Sequence, residues 1–166
     1  MGQIEIKKAS DVIAIFESIL KDAIKQLDQT DQIAVERLTT LDGYTLKHPR
    51  GCFGLLYNGS SFERDPNIKS SAVIMKRNIF IGVVSIIRFF DNPNQSLDKF
   101  KMIPADYIDF AVDNISGIEL YNERPEYERK IIPVKDELVD EENGIWKYLT
   151  TFSVPADFIE KSLREN

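Results

Sequence analysis

Between Ile79 and Phe89 almost every position is apolar or small, and the side chains sort by parity onto two faces. Phe80, Gly82, Val84, Ile86 and Arg88 share one face; Ile79, Ile81, Val83, Ser85, Ile87 and Phe89 share the other. Both faces are largely apolar, so this strand is expected to be covered on both sides. Its β-branched and aromatic character reaches back to Ala72. A continuous strand over 72–90 is far longer than the usual ~5–6 residues. Either the chain breaks at Lys76-Arg77-Asn78, or the strand outgrows its own domain and offers an edge to a neighbouring chain.

The helical period appears twice. Over 11–27, Val12, Ile13, Phe16, Ile19, Leu20, Ala23, Ile24 and Leu27 recur at i, i+3, i+4 spacing and predict an amphipathic helix. Ser10 is the expected N-cap, with Asp11 suited to the positive end of the dipole. Over 105–115, Tyr107, Ile108, Ala111, Val112 and Ile115 predict a second helix, with Pro104 at its start and Gly117 just past its end. Residues 96–102 add a short helical turn before it.

Around these lie shorter signals. Residues 32–38 alternate and read as a short strand; 39–51 carry Asp42-Gly43 and His48-Pro49-Arg50-Gly51 and read as loop. The compact run 52–57 (CFGLLY) reads as a strand, 59–70 as an exposed polar loop, and 118–121 as a short strand. Residues 130–139 and 145–154 flank Asn143-Gly144, a hairpin signal, and the tail after Pro155 reads as a short solvated helix or frayed end. Gly54 and Gly82, inside strands, mark bulges or close backbone approaches. The whole is expected to be a single domain over 1–166 of the α+β class. It has an antiparallel or mixed sheet, two helices packed mainly on one face, and a C-terminal hairpin. The other face needs a cover, from the hairpin or from another subunit.

Composition narrows the functional classes. Of 166 residues 43% are hydrophobic and 29% charged, an ordinary globular balance for one domain. The net charge of −6 argues against a broad nucleic-acid surface and sequence-specific nucleic-acid binding, which need an excess of Lys and Arg. The N-terminal segment lacks a signal-peptide pattern, and the run 79–87 is too short to span a bilayer, so no membrane partner is expected.

Candidate chemistry is sparse. His48 and Cys52, each single in the chain, sit four residues apart at the entry to one strand and read as a loop residue and a buried small hydrophobe. Cys and His are too few for a zinc site. Glu137, Asp140, Glu141 and Glu142 form an acidic hairpin tip, and Glu63 with Asp65 is the nearest approach to a carboxylate-metal nuclease pattern. No phosphate loop is present. No catalytic residue, metal or cofactor is assigned. The mixed cluster Glu123, Arg124, Glu126, Glu128, Arg129 and Lys130 is either solvated charge or an intersubunit strip.

The helix with IFESILKDAIKQL, the strand ending in LYNGSSF, the strand ending in IFIGVVSIIRFF, the helix before ISGIELY and the hairpin ENGIWKYLTTFSV occur in a familiar order. Over 10–154 the chain thereby resembles the small tail-terminator (tail-completion) proteins of tailed phages, in particular the Mu-like prophage tail-protein family. The 122–143 segment departs from that family's shorter connection. The resemblance implies a structural virion protein, not an enzyme, made in a bacterial cytoplasm. It would form a ring-shaped homo-oligomer, commonly a hexamer, that caps the tail tube of a phage or a phage-derived contractile particle. Its partners would be other copies of itself, the tube, and sheath or head-connector proteins. Two different patches meet in such a ring, and complementary charge with apolar anchors suits them. Phe62 and Arg64 in one segment, Arg124 and Tyr127 in the other, are the candidate subunit-interface residues. The alternatives are a small acidic inhibitor or immunity-type binding protein, and a carboxylate-metal nuclease.

Overall fold

The computed structural model describes residues 8–64, 72–89, 101–120 and 130–162. The first helix, α1 (Ala9–Ile24), buries Val12, Phe16, Leu20 and Ile24, one residue per turn. Its start differs from the expected Ser10 cap. Lys8 is the N-cap, and its N–H donates to the Asp11 carboxylate at 2.9 Å. The longer acidic side chain in the first turn satisfies the orphan donor from inside the helix. The second helix, α2 (Pro104–Ile115), places Pro104 in its first turn, buries Tyr107, Ile108, Ala111 and Ile115, and is followed by Gly117 at φ +78°. At its start the Ile103 N–H donates to Asp106 at 2.8 Å.

The strands are β1 (Ala34–Arg37), β2 (Gly51–Arg64), β3 (Ala72–Arg88), β4 (Ile132–Glu142) and β5 (Ile145–Ser162), and they form one five-stranded sheet in the order β1-β2-β3-β5-β4. β1 runs parallel to β2; every other pairing is antiparallel. The fold is α+β with a mixed sheet and a C-terminal hairpin. The hairpin turns at Asn143 (φ +52°) and Gly144 (φ +78°), two positive values in succession as a tight primed turn requires.

Parity along β3 divides the core as the sequence pattern predicts. Ile79, Ile81, Val83 and Ile87 join Phe53 and Leu55 of β2 and Phe152 and Val154 of β5 under the two helices. Phe16 meets Phe152 edge-on, with ring centroids 5.5 Å apart. Val84 and Ile86 lie on the opposite face with Cys52 and Leu56. Within the chain, that face is covered by a segment other than the hairpin. A parallel neighbour forces the chain to cross over the sheet. The β1–β2 connection, 38–50, does so, laying Leu41, Tyr44 and Leu46 over Cys52, Val84 and Ile86. Gly54 and Gly82 stand in regular register, and they are close approaches rather than bulges. A Cβ on Gly54 would fall 2.4 Å from Leu38 Cδ1, and one on Gly82 would fall 2.8 Å from Leu149 Cδ1.

Two strands, β2 and β5, run longer than their sequence signals, and β3 takes the unbroken one of its two expected forms. β2 does not give way to a loop at Gly59 but continues to Arg64. β3 passes Lys76-Arg77-Asn78 without a break, marked only by a register shift against β5. Residues after Pro155 continue β5 to Ser162 instead of forming a helix. Each polar stretch is held by backbone pairing with a partner distant in sequence, which local composition does not report. Residues 118–120 carry a single bridge, Glu119 to Lys130, rather than a strand, and Tyr121 lies outside the described residues. Residues 101–103 precede α2 without helix; 96–100 and 122–129 lie outside the described residues.

Candidate interaction surface

Among the described side chains the core clusters stop at Leu56 on β2 and at Ile79 on β3, while the backbone ladder runs on to Arg64 and Ala72. The outcome is a three-stranded extension past the helices. A register shift between Tyr57 and Ser60, with Gly59 at φ +95°, brings both residues onto the face that carries Ile79 and Ile81. Phe62 follows on that face, paired with Arg77 of β3. The Arg77 guanidinium lies 5.5 Å from the Phe62 ring centroid, donates through Nε to Ser60 Oγ at 3.0 Å, and donates through Nη2 to Tyr57 Oη at 3.3 Å. Tyr57 Oη and Ser60 Oγ are 2.7 Å apart. The Ser60 hydroxyl, and after it the Arg77 guanidinium, hold the Tyr57 phenol below its ordinary pKa. Tyr57 and Phe62 remain 43% and 47% exposed, which leaves an aromatic pair pinned by an arginine and open to a partner.

Of the four interface residues expected from sequence, Phe62 is therefore at the centre of this patch. Arg64 ends the same strand, its backbone paired with Met75. Arg124 and Tyr127 lie outside the described residues. Tyr57 and Arg77 were the missed members. The signal for them was the Asn58-Gly59 step, which reads as a strand end but acts as a bulge within one.

The second feature is the β4 edge. All eleven residues of β4 are exposed, including Ile132, Val134, Leu138 and Val139. Register shifts leave Val134 and Val139 without partners on β5, so two bulges interrupt the strand. The strand carries five carboxylates against one lysine, and that lysine, Lys135, is 3.2 Å from Glu137. Bulges and charge are the usual means of blunting an edge. The exposed aliphatic side chains between them are not.

Two further clusters of polar groups are buried or half-buried. Under the 38–50 crossover, Tyr44 Oη donates to Glu36 Oε2 and lies 3.1 Å from Cys52 Sγ, while His48 Nε2 is 3.3 Å from Glu36 Oε1. Burial, before any other influence, pushes the Cys52 thiol up to about 11 and raises Tyr44, whereas the Tyr44 and His48 contacts lower Glu36. A fully buried, protonated thiol is a poor nucleophile. The geometry instead fastens the crossover to β1. Among the described residues no three His, Cys, Asp or Glu side chains gather in a way that would hold a metal ion.

The other cluster is a brace. The buried Asp31 carboxylate accepts the Lys101 and Met102 N–H groups at 3.2 Å and lies 3.9 Å from Arg50 Nη2. Arg50 donates to the Arg88 carbonyl at 2.7 Å and the Met102 carbonyl at 2.5 Å, and sits over the Tyr107 ring. Tyr107 in turn donates to the Asp31 carbonyl at 2.7 Å. This ties the turn before β1, the start of β2, the end of β3 and the start of α2 together. Comparison with protein-family models and with curated proteins gives no match.

Proposed function

We propose that this chain is a structural assembly subunit: a ring-forming cap that terminates the tail tube of a phage or a phage-derived contractile particle. The observation that carries the reading is the eleven-residue edge strand β4, exposed throughout and studded with aliphatic side chains. A lone soluble domain has no use for such an edge, whereas a subunit that covers it in an assembly does. The extension bearing Tyr57, Phe62 and Arg77 offers a second surface of the aromatic-and-arginine type common at interface hot spots. Function would then be steric. One ring face docks on the last tube layer, and the opposite face lacks the docking surface for another. The resemblance in sequence order to tail-terminator proteins supplies the particle.

The acidic character of β4 favours one competing reading, a small inhibitor whose carboxylates bind a basic partner. Multi-angle light scattering on the purified chain, alone and with its tube protein, separates the two. A closed oligomer, with the hexamer as the expected size, supports the cap. A monomer under both conditions supports the inhibitor. Metal-dependent DNA cleavage by the pure chain overturns both.

A further inference from the structure

Among the described residues the sheet has two open ends, β1 and β4, and they fit each other. We infer that β4 of one copy pairs antiparallel with β1 of the next, so that a single sheet runs from subunit to subunit. This inference rests on the ring reading above and names the surfaces that close it.

Direction comes first. β1 and β2 run together, β3 against them, β5 with them and β4 against them. A second copy placed beside the first with its helices on the same side therefore meets β1 with β4 in the antiparallel sense. Length comes next. The bulges at Val134 and Val139 bracket one regular run, Lys135 to Leu138, and β1 is four residues long, Ala34–Arg37. The two regular stretches match.

Side chains then select the register. Val35 and Arg37 share the helix-bearing face with Phe53 and Leu55, their partners on β2. Asp136 and Leu138 share that same face, opposite Thr150 and Tyr148 of β5. Setting Leu138 against Val35 sets Asp136 against Arg37, one apolar pair and one ion pair, the latter joining the contact Arg37 already makes with Glu17 of α1. The Leu138–Val35 pair borders the open groove between α1 and β1, which Ile24, Ile33 and Val35 line. The same register sets Glu36 against Glu137, but Glu36 already holds Tyr44 and His48, and Glu137 already holds Lys135. The alternative of β4 pairing with β4 across a two-fold axis places five carboxylates against five, which opposed like charges disfavour. Unlike edges meeting head to tail by rotation close into a ring.

Cysteine cross-linking tests this. In a Cys52→Ser background, Val35→Cys and Leu138→Cys in one chain should give, on mild oxidation, a ladder of covalent multimers ending at the ring size. Each single variant should stay monomeric on a non-reducing gel. Arg37→Cys with Asp136→Cys, both at exposed positions, should give the same ladder and serves if the Val35 substitution disturbs packing. Leu138→Lys should abolish the oligomer while leaving the circular dichroism spectrum unchanged. Dimers from Leu138→Cys alone would overturn the inference in favour of a two-fold contact. No ladder from either pair, with the uncross-linked chain still a ring by light scattering, would overturn the edge assignment and leave the cap standing. A wild-type chain that never assembles would remove the cap and this inference together.

Discussion

Arg77 of β3 lies over the ring of Phe62 on β2, directly across the strand pair. The contact links a residue expected from sequence to be an interface anchor with one that was not. Because Phe62 is half-exposed, Phe62→Ala should cost little in stability. Both Phe62→Ala and Arg77→Ala should weaken assembly, or binding to the tube, by about tenfold, equivalent to ~1.4 kcal/mol. Arg64→Glu should act in the same direction. Sedimentation of each variant beside its circular dichroism spectrum checks this, and normal oligomers from all three would show that the extension is not an interface.

The core under the helices makes a plainer prediction. Ile81 is fully buried, faces Phe152 across the strand pair and belongs to the cluster that holds both helices. Ile81→Ala should destabilise the chain by about 2–5 kcal/mol, read from the urea midpoint at unchanged slope.

Gly51 has less latitude still. Its φ is +154°, and a Cβ there would fall 2.3 Å from the Ile86 carbonyl oxygen, a backbone atom with nowhere to retreat. Gly51→Ala should cost about 1–3 kcal/mol or more, a loss that thermal unfolding would register as a clear drop in midpoint. Gly59→Ala meets open space and only its positive φ, so its loss should be the smaller of the two.

The brace predicts an asymmetry. Asp31 accepts two backbone N–H groups besides facing Arg50, so Asp31→Ala orphans donors just before α2 and also removes the carboxylate that faces a buried cation. A loss on the order of 3–5 kcal/mol is expected for breaking the buried pair from either side. Asp31→Asn, which keeps an acceptor for the N–H groups, should recover part of it. Equal midpoints for Asp31→Ala and Asp31→Asn would argue against the backbone role.

The Glu36 cluster predicts a dependence on pH. Glu36 is held below its ordinary value near 4.5 first by the Tyr44 hydroxyl. A lowered carboxylate binds fewer protons folded than unfolded, so its contribution is complete above that ordinary value and fades as pH falls through the folded one. Wild type should therefore lose more stability between pH 7 and pH 3 than Tyr44→Phe, which lacks the donor. Parallel urea midpoints at the two pH values would refute the coupling. Cys52→Ser and His48→Gln should both assemble normally, and the Cys52 thiol should resist alkylation at neutral pH until the chain unfolds, since it is buried and pushed up to about 11.

What could be read in the chain was whatever local pattern dictates. The alternation along Ile79–Ile87 assigned both faces of β3, the spacing of Val12, Phe16, Leu20 and Ile24 assigned the buried side of α1, and Asn143-Gly144 placed the hairpin. What was hidden depends on residues far apart. Ser60, Ser61 and Glu63 have no strand character of their own, yet they pair with Ile79, Asn78 and Lys76. The same holds beyond Pro155, where β3 supplies the ladder. Arg50 looked like a turn residue because nothing in its neighbourhood names Asp31, Met102 or Tyr107 as partners. The candidate site was half legible for the same reason: Phe62 announced itself as an aromatic residue within a charged segment, while Arg77 acquired its place only from the strand opposite.

The strand order has a consequence for how the protein is made. β3 sits third in the sheet, but one of its neighbours, β5, is the last strand to be synthesised: Ile81 waits for Phe152, and Val83 for Thr150. At ~5–20 residues per second on the ribosome, the most apolar strand of the molecule spends seconds with one flank open. During that interval it is a template for any strand nearby. Contacts so distant in sequence also form slowly once available. The nascent chain is thus most exposed to misassembly between the emergence of Ile87 and the arrival of Trp146, and a cell that produces it in quantity has reason to shield that stretch with chaperones.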